Sequence, residues 1–180
     1  MKHVFFALGL LSLGALSTGC EREQVAPEPA VPTAASVDAK IQLERYYGAF
    51  LTGSQEVPAV PTRAVGAAYF KLSQDSTRLE YEVFVARLST LRLSHLHLGA
   101  AGVNGPVVVD LYVGRPSLIN PRGRVLQGTI TAANLVGPLR GRPLSALLTA
   151  LDADNVYLNV HSDQYRAGEI RGQVKSAASL

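Results

Sequence analysis

Three histidines carry the metal-binding chemistry this sequence can offer. His95 and His97 stand two residues apart in Ser94-His95-Leu96-His97-Leu98-Gly99, and His161 closes the run Val156-Tyr157-Leu158-Asn159-Val160-His161. In an extended strand, residues i and i+2 point to the same face. His95 and His97 are therefore neighbours on one face, with Leu96 and Leu98 on the other. In the second run Val156, Leu158 and Val160 form the apolar face, and His161 falls on the opposite one. The three imidazoles can share a single face turned away from the core. Neutral imidazole is a common ligand for copper and zinc, so one reading is a three-nitrogen site for either metal, with Glu56 and Glu169 as possible supporting carboxylates. The competing role is structural: each imidazole bonds a backbone group or a carboxylate such as Glu56, Asp163 or Glu169 and holds a loop in place. Direct recognition of a ligand or protein is a third role.

Other chemistries find little purchase. No GxSxG occurs, so Ser94 and Ser162 have no nucleophile context. The glycines from Gly99 to Gly105 lead into a strand pattern and not a helix, which removes the phosphate-loop reading. Glu169 and Arg171 read as a same-face pair on an exposed strand, worth little energy. No catalytic machinery is evident. The formal charge of +3 falls to +2 without the segment that carries Lys2, and no basic cluster with interleaved aromatics appears. Nucleic acid is thus not an expected partner. The single cysteine rules out an intramolecular disulfide.

That cysteine has another use. Met1-Lys2-His3 precedes an apolar run from Val4 to Leu16, and Ser17-Thr18-Gly19-Cys20 follows. A basic start, a short apolar run and small residues before a cut site describe a signal peptide over residues 1–19. The ending resembles a bacterial lipobox, with Ser17 where leucine is usual. The resemblance implies lipid modification at Cys20, and acyl chains anchor a protein to a membrane without spanning it. Residues 20–40, with Pro27, Pro29 and Pro32 among many alanines, read as a disordered tether. The expected location is outside the cytoplasm, facing the periplasm or cell exterior. Glu21 after the cysteine favours the outer membrane by the sorting pattern of some Gram-negative bacteria. The expected partners are that membrane and an unidentified extracytoplasmic protein or ligand.

Residues 41–175 then read as one domain and 176–180 as a frayed tail. Strand patterns are expected from Ile41 to Thr52, Gly66 to Leu72, Arg78 to Ala86, Leu93 to Leu98, Pro106 to Val113, Val125 to Thr131, Val156 to His161 and Glu169 to Val174. In the fifth, Val107, Val109, Leu111 and Val113 alternate as the inward set. Gln74 to Thr77 is a turn that makes a hairpin of its flanking runs, and Gly114 to Arg124 reads as a loop. Ala132 to Val136 suggests one helical turn. Leu144, Leu147, Leu148 and Leu151 show the i, i+3, i+4, i+7 spacing of a short helix. About eight short strands with one helix predict an all-β antiparallel sandwich or flattened barrel.

Eight segments in order resemble the CHRD domain, named after the animal protein chordin and present in many bacterial secreted proteins. They are Leu51-Thr52-Gly53-Ser54-Gln55-Glu56-Val57-Pro58, Gly66-Ala67-Ala68-Tyr69-Phe70, Leu79-Glu80-Tyr81, His95-Leu96-His97-Leu98-Gly99, Asn104-Gly105-Pro106-Val107-Val108, Gly128-Thr129-Ile130, Tyr157-Leu158-Asn159-Val160-His161-Ser162 and Gly168-Glu169-Ile170-Arg171-Gly172-Gln173. The resemblance runs from about Ala49 to Val174. Pro58-Ala59 stands where the family often has two prolines. The resemblance implies an immunoglobulin-like or superoxide-dismutase-like Greek-key barrel and an extracellular setting, and fold alone assigns no activity. The histidine segments also look like the copper half of a Cu,Zn superoxide dismutase. That enzyme needs a fourth copper ligand and a zinc cluster, for which no histidines remain.

Overall fold

A computed structural model describes residues 45–177. The segments read as signal peptide, Cys20 and tether, the first four residues of the expected strand (41–44), and the last three of the tail (178–180) lie outside the described residues.

The elements follow in the order β1 (Tyr46–Thr52), β2 (Val65–Leu72), β3 (Leu79–Ala86), β4 (Thr90–Leu98), β5 (Val107–Ile119), β6 (Gly123–Ile130), α1 (Leu144–Asp152), β7 (Val156–His161), β8 (Ile170–Gln173) and β9 (Lys175–Ser176). All strands join one antiparallel sheet in the order β5-β4-β7-β8-β1-β2-β3-β6, with β9 beside β1. The two ends of that order, β5 and β6, are consecutive in the chain, so the sheet curls into a nearly closed barrel. This is the expected all-β class. The short helix lies where its leucine spacing placed it, with Leu144, Leu147, Leu148 and Leu151 all buried. The turn at Ala132–Asn134 is a 3₁₀ turn closed by a Thr131–Asn134 capping box. No helix among the described residues is long and apolar enough to cross a membrane.

The core is built by the inward alternation of each strand. Leu96 on β4, Val156, Leu158 and Val160 on β7, and Ile170 on β8 are fully buried together with Leu51, Phe70, Leu79 and Val83.

Three expectations change. The segment from Gly114 to Arg124 is mostly strand: β5 runs on to Ile119, where Leu118 and Ile119 pair with Leu91 and Thr90, and β6 begins at Gly123. β5 follows the sheet edge beside β4, where glycine and proline are tolerated, so its composition masked a ladder. The inward set of β5 is also different. Val108 and Val109 are both buried and Val113 is 58% exposed, because two register shifts, opposite Ser94/His95 and Leu96/His97, break the alternation. Finally, Glu169 and Arg171 are buried and take separate partners, described below.

Candidate metal centre

β4 and β7 pair without a bulge. His95 stands opposite Asn159, His97 opposite Tyr157, and Leu93 opposite His161. The shared parity of these pairs puts all three imidazoles on one sheet face, as their spacing predicted. On the other side of β4, the β5 bulges bring Asp110 opposite His95. Bulges re-aim side chains at a local kink, and one lies opposite the step just before each histidine of the HxH pair.

The rings converge. His95 Nδ1 lies 3.1 Å from His161 Nε2. Ring centroids are 4.9 Å apart for His95 and His161 and 5.7 Å apart for His95 and His97. One nitrogen from each of the three residues lies within 4.8 Å of the others.

The outward nitrogens decide which lone pairs remain. His97 Nδ1 meets the Gly105 carbonyl at 2.9 Å, and His161 Nδ1 meets the Arg166 carbonyl at 2.9 Å. A carbonyl only accepts, so both Nδ1 atoms carry the hydrogen and both Nε2 atoms present lone pairs. The Nε2 of His97 is buried without a hydrogen-bond partner. His95 Nδ1 donates to His161 Nε2 across the cluster at 3.1 Å, so without an ion Nδ1 holds the ring hydrogen; to ligate, His95 moves that hydrogen to Nε2, which sits 3.7 Å from Asp110 Oδ1.

Burial sets the charge. His95 is pushed down to about 4, first by loss of solvent and then by its two histidine neighbours, with Asp110 opposing. His97 and His161 are also held below the usual histidine value, chiefly by burial. All three are neutral at pH 7, which is the ligating form.

Loops roof this face. Arg171, only 2% exposed, donates to Asn104 Oδ1 and to the carbonyls of Ala100 and Val103. Its guanidinium lies 3.4 Å above the Tyr157 ring, and that ring stacks on His97 at 4.7 Å. Because β7 lies between β4 and β8, the tyrosine separates the cation from the imidazole. The Gly105 N–H donates to Tyr157 Oη, and Asn104 Nδ2 donates to the Val57 carbonyl, which ties this loop to the one before β2. A β-carbon on Gly105 would fall on the Leu98 carbonyl, so only glycine lets the loop come this close.

The suggested carboxylates take other work. Glu56 accepts from Asn159 Nδ2 at 2.7 Å, and Glu169 accepts from Thr62 Oγ1 at 2.7 Å. Asp163 accepts from Arg92 and Ser117 on the surface. Among the described residues, the acid beside an imidazole is Asp110 instead. Burial raises Glu56 to about 7, against the lowering effect of Arg171. Gly168, in the positive-φ region, passes close over Glu56 and Asn159, where a side chain would collide. Sequence reasoning missed Asp110, Tyr157 and Arg171. Tyr157 and Arg171 share the parity of the histidines and carried a signal; Asp110 did not, because the bulge hides its face.

The model of the CHRD domain family matches residues 47–174. No curated protein and no solved structure shows a significant match.

Proposed function

The chain belongs to the CHRD family, and from that premise we propose that it is a binding module whose ligand is a metal ion. His95 Nδ1, His97 Nε2 and His161 Nε2 take one copper or zinc ion between them. The observation that carries this reading is the division of labour on each ring. On His97 and His161 the outer nitrogen is held by a carbonyl and the other faces inward, and His95 turns Nδ1 inward toward His161 with Nε2 near Asp110. Outer partners of this kind fix the tautomer and orientation of metal-ligating histidines. A purely structural set would leave His97 Nε2 buried and unpaired, at a cost of about 1–3 kcal/mol. An ion removes that cost.

The test is titration of the purified protein with Cu and Zn, followed by elemental analysis, beside His97→Ala. One equivalent bound by the native protein and lost in the variant is expected. No uptake at micromolar metal overturns the reading.

We further propose that the module is exported and held at a membrane by a lipid on Cys20. The basic start, apolar run and Gly19-Cys20 junction support this, and Glu21 favours the outer membrane as the destination. Cys20→Ala should move the protein from the membrane to the soluble fraction; unchanged retention counts against lipidation there. An extracytoplasmic protein partner is a second role, favoured by the exposed Phe50 and Tyr69 side chains on neighbouring strands.

A further inference from the structure

One inward nitrogen of the candidate centre is sealed from solvent and the centre lies beside a buried cation, and both properties bear on which ion it takes. The inference below rests on the three-histidine reading. His97 Nε2 is out of contact with solvent, and Gly105 and Tyr157 hold that imidazole with Arg171 stacked above the tyrosine. Zinc in proteins is almost always four-coordinate, and where the protein supplies three ligands the fourth position is open to water. Cu(II) prefers a tetragonal set of four or more nitrogen and oxygen ligands. Three inward nitrogens are by themselves one ligand short of either set.

Charge points the same way. The ligands are three neutral imidazoles. The positive charge of Arg171 is stacked on Tyr157, which is stacked on His97. Asp110 touches only the outward nitrogen of His95, and its side chain is 51% exposed, so water screens it. Glu56 is buried beneath the loops and bonded to Asn159; burial raises its pKa, so it carries only part of a charge at neutral pH. The solvation lost by a buried ion grows with the square of its charge, so a divalent ion forfeits about four times as much as a monovalent one. We propose that this site selects monovalent copper, held by His95, His97 and His161 as three nitrogen ligands, over Zn(II) and Cu(II).

The test is competition on the purified full chain under anaerobic conditions. Ascorbate-reduced copper is challenged with a chromogenic Cu(I) chelator, and Zn(II) and Cu(II) are titrated separately against their own indicators. One equivalent of Cu(I) is expected, bound more tightly than either divalent ion, with X-ray absorption showing three nitrogen neighbours. Arg171→Gln should narrow the preference for Cu(I) over Zn(II) roughly tenfold, the size of one unit charge about 10 Å away in a protein medium. Arg171→Lys, which keeps the charge, should preserve it. Zn(II) or Cu(II) bound as tightly as Cu(I) overturns the selectivity and leaves the histidine site standing. Failure of all three ions to bind overturns both. If Arg171→Gln does not fold, the comparison of ions on the native protein still decides.

Discussion

Strands β4, β7 and β8 bury both of their faces, and the two faces have opposite character. Toward the barrel interior stand Leu96, Leu158, Val160 and Ile170, all fully buried. Toward the roof stand His95, Asn159, His161 and Arg171, at 9%, 3%, 7% and 2% exposure. The interior face is satisfied by contact alone, because apolar burial has no direction. The roofed face needs a partner for every polar atom, and the loops supply most of them as carbonyls. The shortfall is uneven. Of the buried polar side-chain atoms without partners among the described residues, Ser94 Oγ lies on the interior side, whereas His97 Nε2, Asn159 Oδ1, Glu169 Oε2 and Gln173 Oε1 belong to the roofed side. One face is organised for stability, and the other gives some up where ligand chemistry would sit.

The largest effect should come from the interior face. Leu158→Ala removes a fully buried side chain and should cost about 3 kcal/mol in urea unfolding, while the folded fraction still binds metal one to one. A cost under about 1 kcal/mol would mean that this face is not the core.

The next effect separates the faces by pH in the metal-free protein. The depressed histidines are neutral when folded and take up protons on unfolding. Their contribution is present above the ordinary histidine value of 6.5 and is lost as pH falls toward the value of about 4 for His95. Glu56 has the opposite sign. Raised from 4.5 to about 7, it favours the folded state below its ordinary value and loses that contribution as pH rises toward 7. Glu56→Gln keeps the shape without the titration. Stability of the native protein relative to this variant should therefore drop by about 3 kcal/mol between pH 4.5 and 8. A flat difference in thermal melts would show that Glu56 is solvated.

A smaller effect follows from loosening the roof. Asn104→Ala removes the bonds to Arg171 and to the Val57 carbonyl. It should cost about 1 kcal/mol in stability and roughly tenfold or more in metal affinity, as for lost outer partners of a ligand. Equal metal affinity in chelator competition would detach the roof from the site. The smallest effect belongs to the solvent side: Phe50→Ser, at a position 64% exposed, should stay within about 0.5 kcal/mol, and a larger change in the thermal midpoint would reveal a contact there.

Alternation and turn residues made the all-β class legible, and leucine spacing marked the helix. Parity also put His95, His97 and His161 on one face. Parity names a face, however, and does not say what covers it. Glu169 and Arg171 read as an exposed pair because nothing local signals that Arg171 will be captured by three groups of the loop from Ala100 to Asn104. The histidines read as meeting backbone groups or carboxylates, and His97 and His161 take the carbonyls of Gly105 and Arg166; the sequence could name only carboxylates, since a backbone acceptor has no letter in it. Val108 escaped, and the unmatched place of Leu111 with it, because a bulge is a property of two strands, and one strand read alone shows only its own alternation.

Those bulges carry a consequence for how the sheet aligns. A plain antiparallel pair that slides by one residue exchanges its faces and remains a plain pair. β5 cannot slide in this way. Val108 and Leu111 are each an unmatched residue, set against Leu96/His97 and Ser94/His95; a slide of one residue would place them against regular pairs and carry Asp110 away from His95. The two irregularities work as a key cut for one notch. They index the imidazoles to a single register through the backbone, independently of any ion.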